Sequence, residues 1–292
     1  MILGIESSCD ESALALFDPE KGLVGEWIHS QISQHAEYGG IVPDIAVRQH
    51  LNQFFPLLDE MRKCNDINGT ISEIAVTCGP GLIGSLGVGL SIAKTLGEIW
   101  RVPVVGVNHL RGHAFSPFMA LGSNALPWTT ILPHLGLLVS GGNTLLFEIC
   151  TDRKINIIGR TMDDAVGEAL DKGAKLLGFP YPGAAALEKC ATYGNPKAFP
   201  FPRAFQSNGA HDFSFSGLKT SLLYQLQKMS QEEIVQCRQD LCSSYQEAAV
   251  DQLTKKCMRF LSQKDYKSFG LSGGVANNDV LRDRLKQTCV NQ

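Results

Sequence analysis

One pattern of apolar and polar positions occurs twice along the chain. Residues 2–17, ILGIESSCDESALALF, alternate apolar and small residues into a polar centre, Ser7-Ser8-Cys9-Asp10-Glu11, and then alternate again. A period of two about a polar centre predicts a β-hairpin whose tip carries two carboxylates. Residues 135–149, LGLLVSGGNTLLFEI, repeat the design around Ser140-Gly141-Gly142-Asn143-Thr144. There the Gly-Gly pair is expected to supply the positive φ that tight turns use.

A second unit also recurs. Residues 74–78 run into Gly79-Pro80-Gly81 and an apolar stretch from Leu86 to Ile99; residues 268–271 run into Ser272-Gly273-Gly274 and a stretch through Val280, Leu281 and Leu285. Each predicts strand, glycine turn, helix. Hairpin followed by this unit, twice, predicts a duplicated α/β architecture with lobes over residues 1–125 and 126–292. A cleft between the lobes is expected, with hairpin tips and helix N-termini turning unpaired N–H groups toward phosphate. Residues 155–158 read as a strand, 165–177 as a helix, 231–263 as one or two amphipathic helices, and 194–216 as a long Pro/Gly/Phe-rich loop of a kind that compact domains keep for use.

Composition narrows the class. The chain has 292 residues, room for about two domains, and is 44% hydrophobic and 19% charged, which excludes disorder and collagen. Lys+Arg 26 against Asp+Glu 29 leaves a net charge of −3. A nucleic-acid partner would need a local cationic patch, for which Arg48, Arg101, Arg111, Lys197, Arg203 and Lys219 are candidates, or help from another protein. A start without a basic leader and the lack of any long uncharged apolar segment predict neither signal peptide nor membrane span. Nine dispersed cysteines, odd in number and never spaced C-x-x-C, predict a reducing compartment, the cytoplasm.

Three motifs carry candidate chemistry. Gly79-x-Gly81-x-x-Gly84 follows a strand and opens a helix, as a dinucleotide fingerprint does, but the next strand ends in Asn108-His109 with no carboxylate for a ribose hydroxyl. The glycines therefore read as close backbone approach or helix–sheet packing. His109 and His113, at i and i+4 on a helix capped by Asn108, have metal-ligand spacing, while Leu110 stands where a zincin keeps its glutamate base. On spacing alone, capping histidines and a zinc or iron site fit equally. Asp163, Asp164, Glu168, Asp171 and Lys172 place several charges on the predicted helix; a solvated face is the ordinary reading, and a carboxylate offered to substrate hydroxyls the functional one.

Together these segments resemble the TsaD family of tRNA threonylcarbamoyladenosine transferases. The resemblance rests on Glu6 to Glu11, Tyr38-Gly39-Gly40-Ile41-Val42-Pro43, Gly79-Pro80-Gly81-Leu82, Asn108-His109 with His113, Val139-Ser140-Gly141-Gly142-Asn143-Thr144, Asp163-Asp164-Ala165, Asp171-Lys172, Tyr181-Pro182-Gly183, Asp212 to Thr220, and Ser272-Gly273-Gly274-Val275-Ala276 with Asn278, in order along the chain. It implies a two-lobed α/β fold of the actin, sugar kinase and Hsp70 (ASKHA) class. The implied activity is transfer of the threonylcarbamoyl group from threonylcarbamoyl-AMP to the exocyclic amine of the adenosine beside the anticodon. It also implies one divalent metal per subunit, iron or zinc, held by His109 and His113, and an adenine nucleotide in the cleft. Leu138, Val139, Ser140, Gly141, Gly142 and Asn143 match the phosphate and substrate loop. Asp171 matches the ribose contact, Gly183 and Ala184 the nucleotide turn, and Asn278 the adenosine-binding turn. Asp10 and Glu11 match the first hairpin tip, where proton handling for the attacking amine is expected. The implied partners are tRNA and TsaB-like and TsaE-like proteins, or a second copy in a homodimer.

The sequence departs from the family pattern in places. The family continues past the Gly-Gly-Val-Ala segment to a Thr-Asp-Asn motif whose Asp completes the metal site, a motif not found before Gln292. Ala184 and Ala185 stand where the family has Gly-Pro, so a methyl is expected to crowd the ligand or strain a left-handed residue. Two other classes are consistent with the fold: a non-catalytic partner subunit, expected to lose the histidines and carboxylates, and an ATP-binding actin-like protein or sugar kinase, expected to form ADP without tRNA.

Overall fold

The computed structural model describes residues 1–64, 70–121, 128–204 and 211–290. The chain divides into two units, Met1–Ala125 and Leu126–Gln292. The junction between them lies outside the described residues, as does part of the predicted loop over 194–216.

In the first unit the predicted hairpin forms from β1 (Ile2–Glu6) and β2 (Glu11–Asp18), antiparallel with Ile5 opposite Leu14. β3 (Gly22–Ser30) extends it. After α1 (Ile32–Ala36) and α2 (Pro43–Cys64), β4 (Glu73–Gly79) inserts parallel to β1 with Val76 beside Ile5. α3 (Ile83–Trp100) then leads to β5 (Val104–Asn108), parallel to β4, and to α4 (His109–Phe115). The sheet order is β3-β2-β1-β4-β5. Alternation in β1 and β2 turns Leu3, Ile5, Leu14 and Leu16 onto Phe54 and Met61 of α2 and Ala93 of α3, all buried. Each such aliphatic side chain contributes about 2 kcal/mol relative to exposure. α3 stops at Arg101, whose left-handed φ of 57° lets its N–H reach Gly97 O.

The second unit opens with α5 (Trp128–Ile131) and repeats the plan: β6 (His134–Val139) and β7 (Thr144–Ile149) form the second hairpin, Leu138 opposite Leu145. β8 (Ile155–Arg160) extends it, and β9 (Ser268–Ser272) lies parallel to β6, giving the order β8-β7-β6-β9. All six residues of β6 are buried. Covering them are α6 (Val166–Leu176), α7 (Ala184–Ala191), α8 (Ser216–Leu226) and α10 (Arg238–Gln263), which share one apolar core around Tyr245. The Tyr245 hydroxyl donates to Ala169 O at 2.8 Å, so even this buried phenol is satisfied. The predicted 231–263 segment is two helices. α9 (Gln231–Gln236) begins at a Ser230/Glu233 capping box and breaks at Cys237 before α10. A single 3-10 turn separates β9 from α11 (Asp279–Val290).

One expectation needs correcting here. Asp163 and Asp164 precede α6 instead of riding on it, because Ala165 is the N-cap. Asp163 Oδ1 accepts from Phe215 N and Ser216 N at 2.8 and 3.2 Å, and its Oδ2 accepts from the Ser214 and Ser216 hydroxyls at 2.5 and 2.7 Å, so it starts α8 from a distance of fifty residues. Asp164 and Glu168 both pair with Lys172, at 2.8 and 2.9 Å. No described helix is long and apolar enough to cross a membrane, and the eight cysteines whose side chains are described are free thiols.

Candidate active site

In the first unit the hairpin tip is held from outside. Three successive carbonyls turn into the scaffold: Ser8 O accepts from Leu82 N at 2.8 Å, Cys9 O from His50 Nε2 at 3.0 Å, and Asp10 O from Gln31 N at 2.9 Å. A Cβ on Gly81 would lie 2.5 Å from Ser8 O, and one on Gly84 2.5 Å from Val47 Cγ2. These glycines are therefore explained by close packing, the reading that replaced a dinucleotide fingerprint. Because a carbonyl only accepts, His50 carries its proton on Nε2, and its Nδ1 takes the Ser12 hydroxyl proton at 2.7 Å. Burial also holds the His50 imidazole below its ordinary pKa, keeping it neutral.

His109 and His113 are delivered by β5 and α4. Asn108 ends the strand, and its side chain accepts from Leu110 N and Arg111 N at 3.0 and 3.2 Å, so His109 is the first helical residue. One turn later His113 stands edge-on to it, ring centroids 4.6 Å apart. His109 Nδ1 lies 3.2 Å from Ser8 Oγ and 3.3 Å from Glu6 Oε2. Glu6 is the carboxylate beside the histidine pair that sequence reasoning passed over in favour of Asp10 and Glu11. It ends β1 on the face opposite Leu3 and Ile5, takes the Ser8 N–H on Oε1 at 2.5 Å, and takes the Thr77 hydroxyl of β4 on Oε2 at 2.5 Å. Burial works to raise its pKa, but hydrogen bonds from His109, Ser8 and Thr77 outweigh it and bring the carboxyl down to about 2.

Burial, then the neighbouring His109, lowers the pKa of His113 and favours the neutral ligand form. Glu11 moves the other way, raised by burial and by the charges of Asp10 and Glu6. The Cys9 thiol is pushed up to about 12 by burial and by Asp10, which removes it as a nucleophile at neutral pH. A metal is implied by the resemblance, and the donor set fits part of one: two adjacent imidazoles, one backed by a carboxylate, are first ligands suited to zinc or iron. Among the described residues no group of three or more His, Cys, Asp and Glu is arranged to hold an ion.

In the second unit the hairpin tip is held from within. Ser140 N donates to Asn143 O at 2.8 Å and Asn143 N to Ser140 Oγ at 3.0 Å. Gly141 and Gly142 do not take the expected left-handed φ, since serine closes the turn. The tight approach comes from α6, where Gly167 N donates to Ser140 O at 3.2 Å and a Cβ on Gly167 would lie 2.6 Å from that oxygen. Leu138 and Val139 bury their side chains in the core and offer a ligand only main chain.

Asp171 Oδ1 accepts from Gly183 N and Ala184 N, both at 2.8 Å, fastening the start of α7. Burial raises its pKa against the pull of these bonds. Ala184 is the first helical residue of α7 and not left-handed, so the expected strain is absent. Asn278 is nearly buried: Oδ1 accepts from Leu281 N at the start of α11, and Nδ2 donates to Gln246 Oε1, both at 3.0 Å. Of the cationic candidates, Arg203 is paired with Asp251 at 2.7 Å and Arg111 lies over the Phe115 ring.

The profile of TsaD, described as tRNA N6-adenosine threonylcarbamoyltransferase, matches residues 22–292. Among solved structures, the activator of 2-hydroxyisocaproyl-CoA dehydratase from Clostridium difficile with bound ADPNP is 12% identical over 98% of this chain and 84% of its own, with a TM-score of 0.53. That likeness shows the actin-like α/β fold. A ROK family protein from Streptococcus pneumoniae in complex with sucrose is 12% identical over 99% and 86%, TM-score 0.49. YeaZ from Pseudomonas aeruginosa is 14% identical, TM-score 0.34, over 53% of this chain and 62% of its own length.

Proposed function

The chain belongs to the TsaD family of transferases that act on tRNA, and we propose that it moves the threonylcarbamoyl group from threonylcarbamoyl-AMP to N6 of the adenosine beside the anticodon. The observation that carries this reading is the His109–His113 pair, backed by Glu6 and set beside the tip that bears Asp10 and Glu11. N6 attacks the carbamoyl carbon, a C–N bond forms, the C–O bond to phosphate breaks, and its electron pair leaves on AMP. The donor is a mixed anhydride and already activated, so no Ser or Cys nucleophile is required, in keeping with the raised Cys9 thiol. An adenine amine is a poor nucleophile, and positioning with a carboxylate to take its proton matters most. Glu11, whose pKa is raised by burial and by neighbouring carboxylates, is the proposed base, and Asp10 shares its tip. His109 and His113 would hold a divalent metal, iron or zinc, which supplies a Lewis acid when bound.

The Ser140–Asn143 turn, Asp171, Gly183, Ala184 and Asn278 are proposed to lie along the nucleotide part of the donor. For Asn278 and Asp171 the hydrogen bonds already made imply that they shape main chain more than they touch the ligand. TsaB-like and TsaE-like proteins, or a second copy of this chain, are the proposed partners, with the cytoplasm as the place of action. The test is transfer of labelled threonylcarbamoyl from the adenylate to unmodified tRNA, with and without those partners. Label on the anticodon-loop adenosine is expected, and His109→Ala and His113→Ala should each cut the rate about 1,000-fold. Labelled tRNA never forming, with ADP produced from ATP in its absence, would replace this reading with that of an actin-like ATPase or kinase.

A further inference from the structure

His109 occupies the first position of α4, where one imidazole nitrogen faces the end of β1 and the other is left over. The nitrogen that faces β1 is Nδ1, and two groups meet it: Ser8 Oγ at 3.2 Å and Glu6 Oε2 at 3.3 Å. They differ in what they permit. A serine hydroxyl donates or accepts and so tolerates either tautomer, whereas a carboxylate only accepts and repels an imidazole lone pair. Glu6 is itself held in place by the Ser8 N–H on Oε1 and the Thr77 hydroxyl on Oε2, and Ser7 Oγ donates to Ser85 O at 2.9 Å, tying the end of β1 to α3. The carboxylate therefore does not swing away to suit the ring.

We propose that Glu6 is a positioning residue that fixes His109 as the Nδ1–H tautomer, turning the unprotonated Nε2 outward as the ligand atom. Free imidazole side chains in water favour the opposite tautomer, so the arrangement inverts an intrinsic preference. It explains why a carboxylate ends a strand whose other face is pure core, and it assigns Thr77 the part of holding Glu6 through one hydroxyl. The consequence for metal binding rests on the proposed role of His109 as a ligand; the tautomer does not.

The test is long-range ¹H–¹⁵N correlation on the full metal-free chain labelled at histidine, with the His109 signal assigned by its loss in His109→Ala. The wild-type protein is expected to show Nδ1 protonated and Nε2 bare. Ser8→Ala should keep that pattern, because Glu6 alone suffices, and Glu6→Ala should switch it to Nε2–H. An Nε2–H ring in the wild type, a switch in Ser8→Ala, or no switch in a folded Glu6→Ala overturns the proposal. Where Glu6→Ala does not fold, Thr77→Val is the substitute, expected to give a mixture of tautomers, and an unchanged pure Nδ1–H signal there counts against the proposal. Zinc titration of the same samples reads the ligand role separately: Glu6→Ala should bind 10–100-fold more weakly, about the usual effect of losing such a partner. A wild-type chain that shows the tautomer yet binds no zinc would sink the metal reading and leave this one standing.

Discussion

At the scale of single residues, the candidate site is a set of ionisable groups pushed in opposite directions. Glu6 sits well below an ordinary glutamate, at about 2 against 4.5. A carboxyl lowered on folding adds stability that is complete above its unfolded pKa and is lost as pH falls through the folded one. Between about pH 5 and pH 2 the urea midpoint should therefore fall, and Glu6→Gln should remove on the order of 1 kcal/mol of that slope once screening of a side chain 35% exposed is allowed for. Glu11 is raised, by burial and by Asp10 and Glu6, and a base works only when ionised. Transfer should lose rate as pH falls through a value above that of free glutamate; Glu11→Gln should cost about 100-fold and abolish that limb of the rate profile. Glu6 was present in the quoted motif but not singled out, because its partners Thr77 and His109 lie on other elements and only pairing of β1 with β4 and of β4 with β5 brings them together. Asp10 and Glu11 were legible because a polar tip between two alternating runs stands out along one short segment.

At the scale of elements, periodicity and turn residues told most of the story, and the reasons for individual glycines told least. Both hairpins, the two strand–turn–helix units and the Asn108 cap follow from local pattern. Which glycine is indispensable does not, since that depends on what approaches it. Gly141 has open space where a Cβ would sit and no left-handed φ, so Gly141→Ala should change the urea midpoint by no more than about 0.5 kcal/mol equivalent. Gly167→Ala should cost about 1–3 kcal/mol, because its methyl would meet Ser140 O at 2.6 Å and displace the turn. A reversed order of these two variants would mean that the turn is not braced by α6. The same dependence on distant approach hid the uses of Asp171 and Asn278, whose side chains fasten the starts of α7 and α11. It also made Ala184 look strained when it simply begins a helix.

For the whole molecule, charge sets an expectation that no single site reveals. With a net charge of −3, the chain has little to release from the phosphate backbone of tRNA. Alone, it should bind tRNA no more tightly than about 1 μM at physiological salt, with a shallow dependence on salt concentration in filter binding. Submicromolar affinity without partners would show a cationic surface that the composition conceals. The duplicated architecture was legible in the sequence because each half repeats the same order of signals, and both sheets begin alike: three antiparallel strands and then a parallel fourth. In one half the equivalent turn bears carboxylates and is braced by His50, Gln31 and Leu82; in the other it bears glycines and is braced by its own serine and by α6. Because each turn is secured by residues of its own half, a substitution at one is expected to leave the bracing of the other intact.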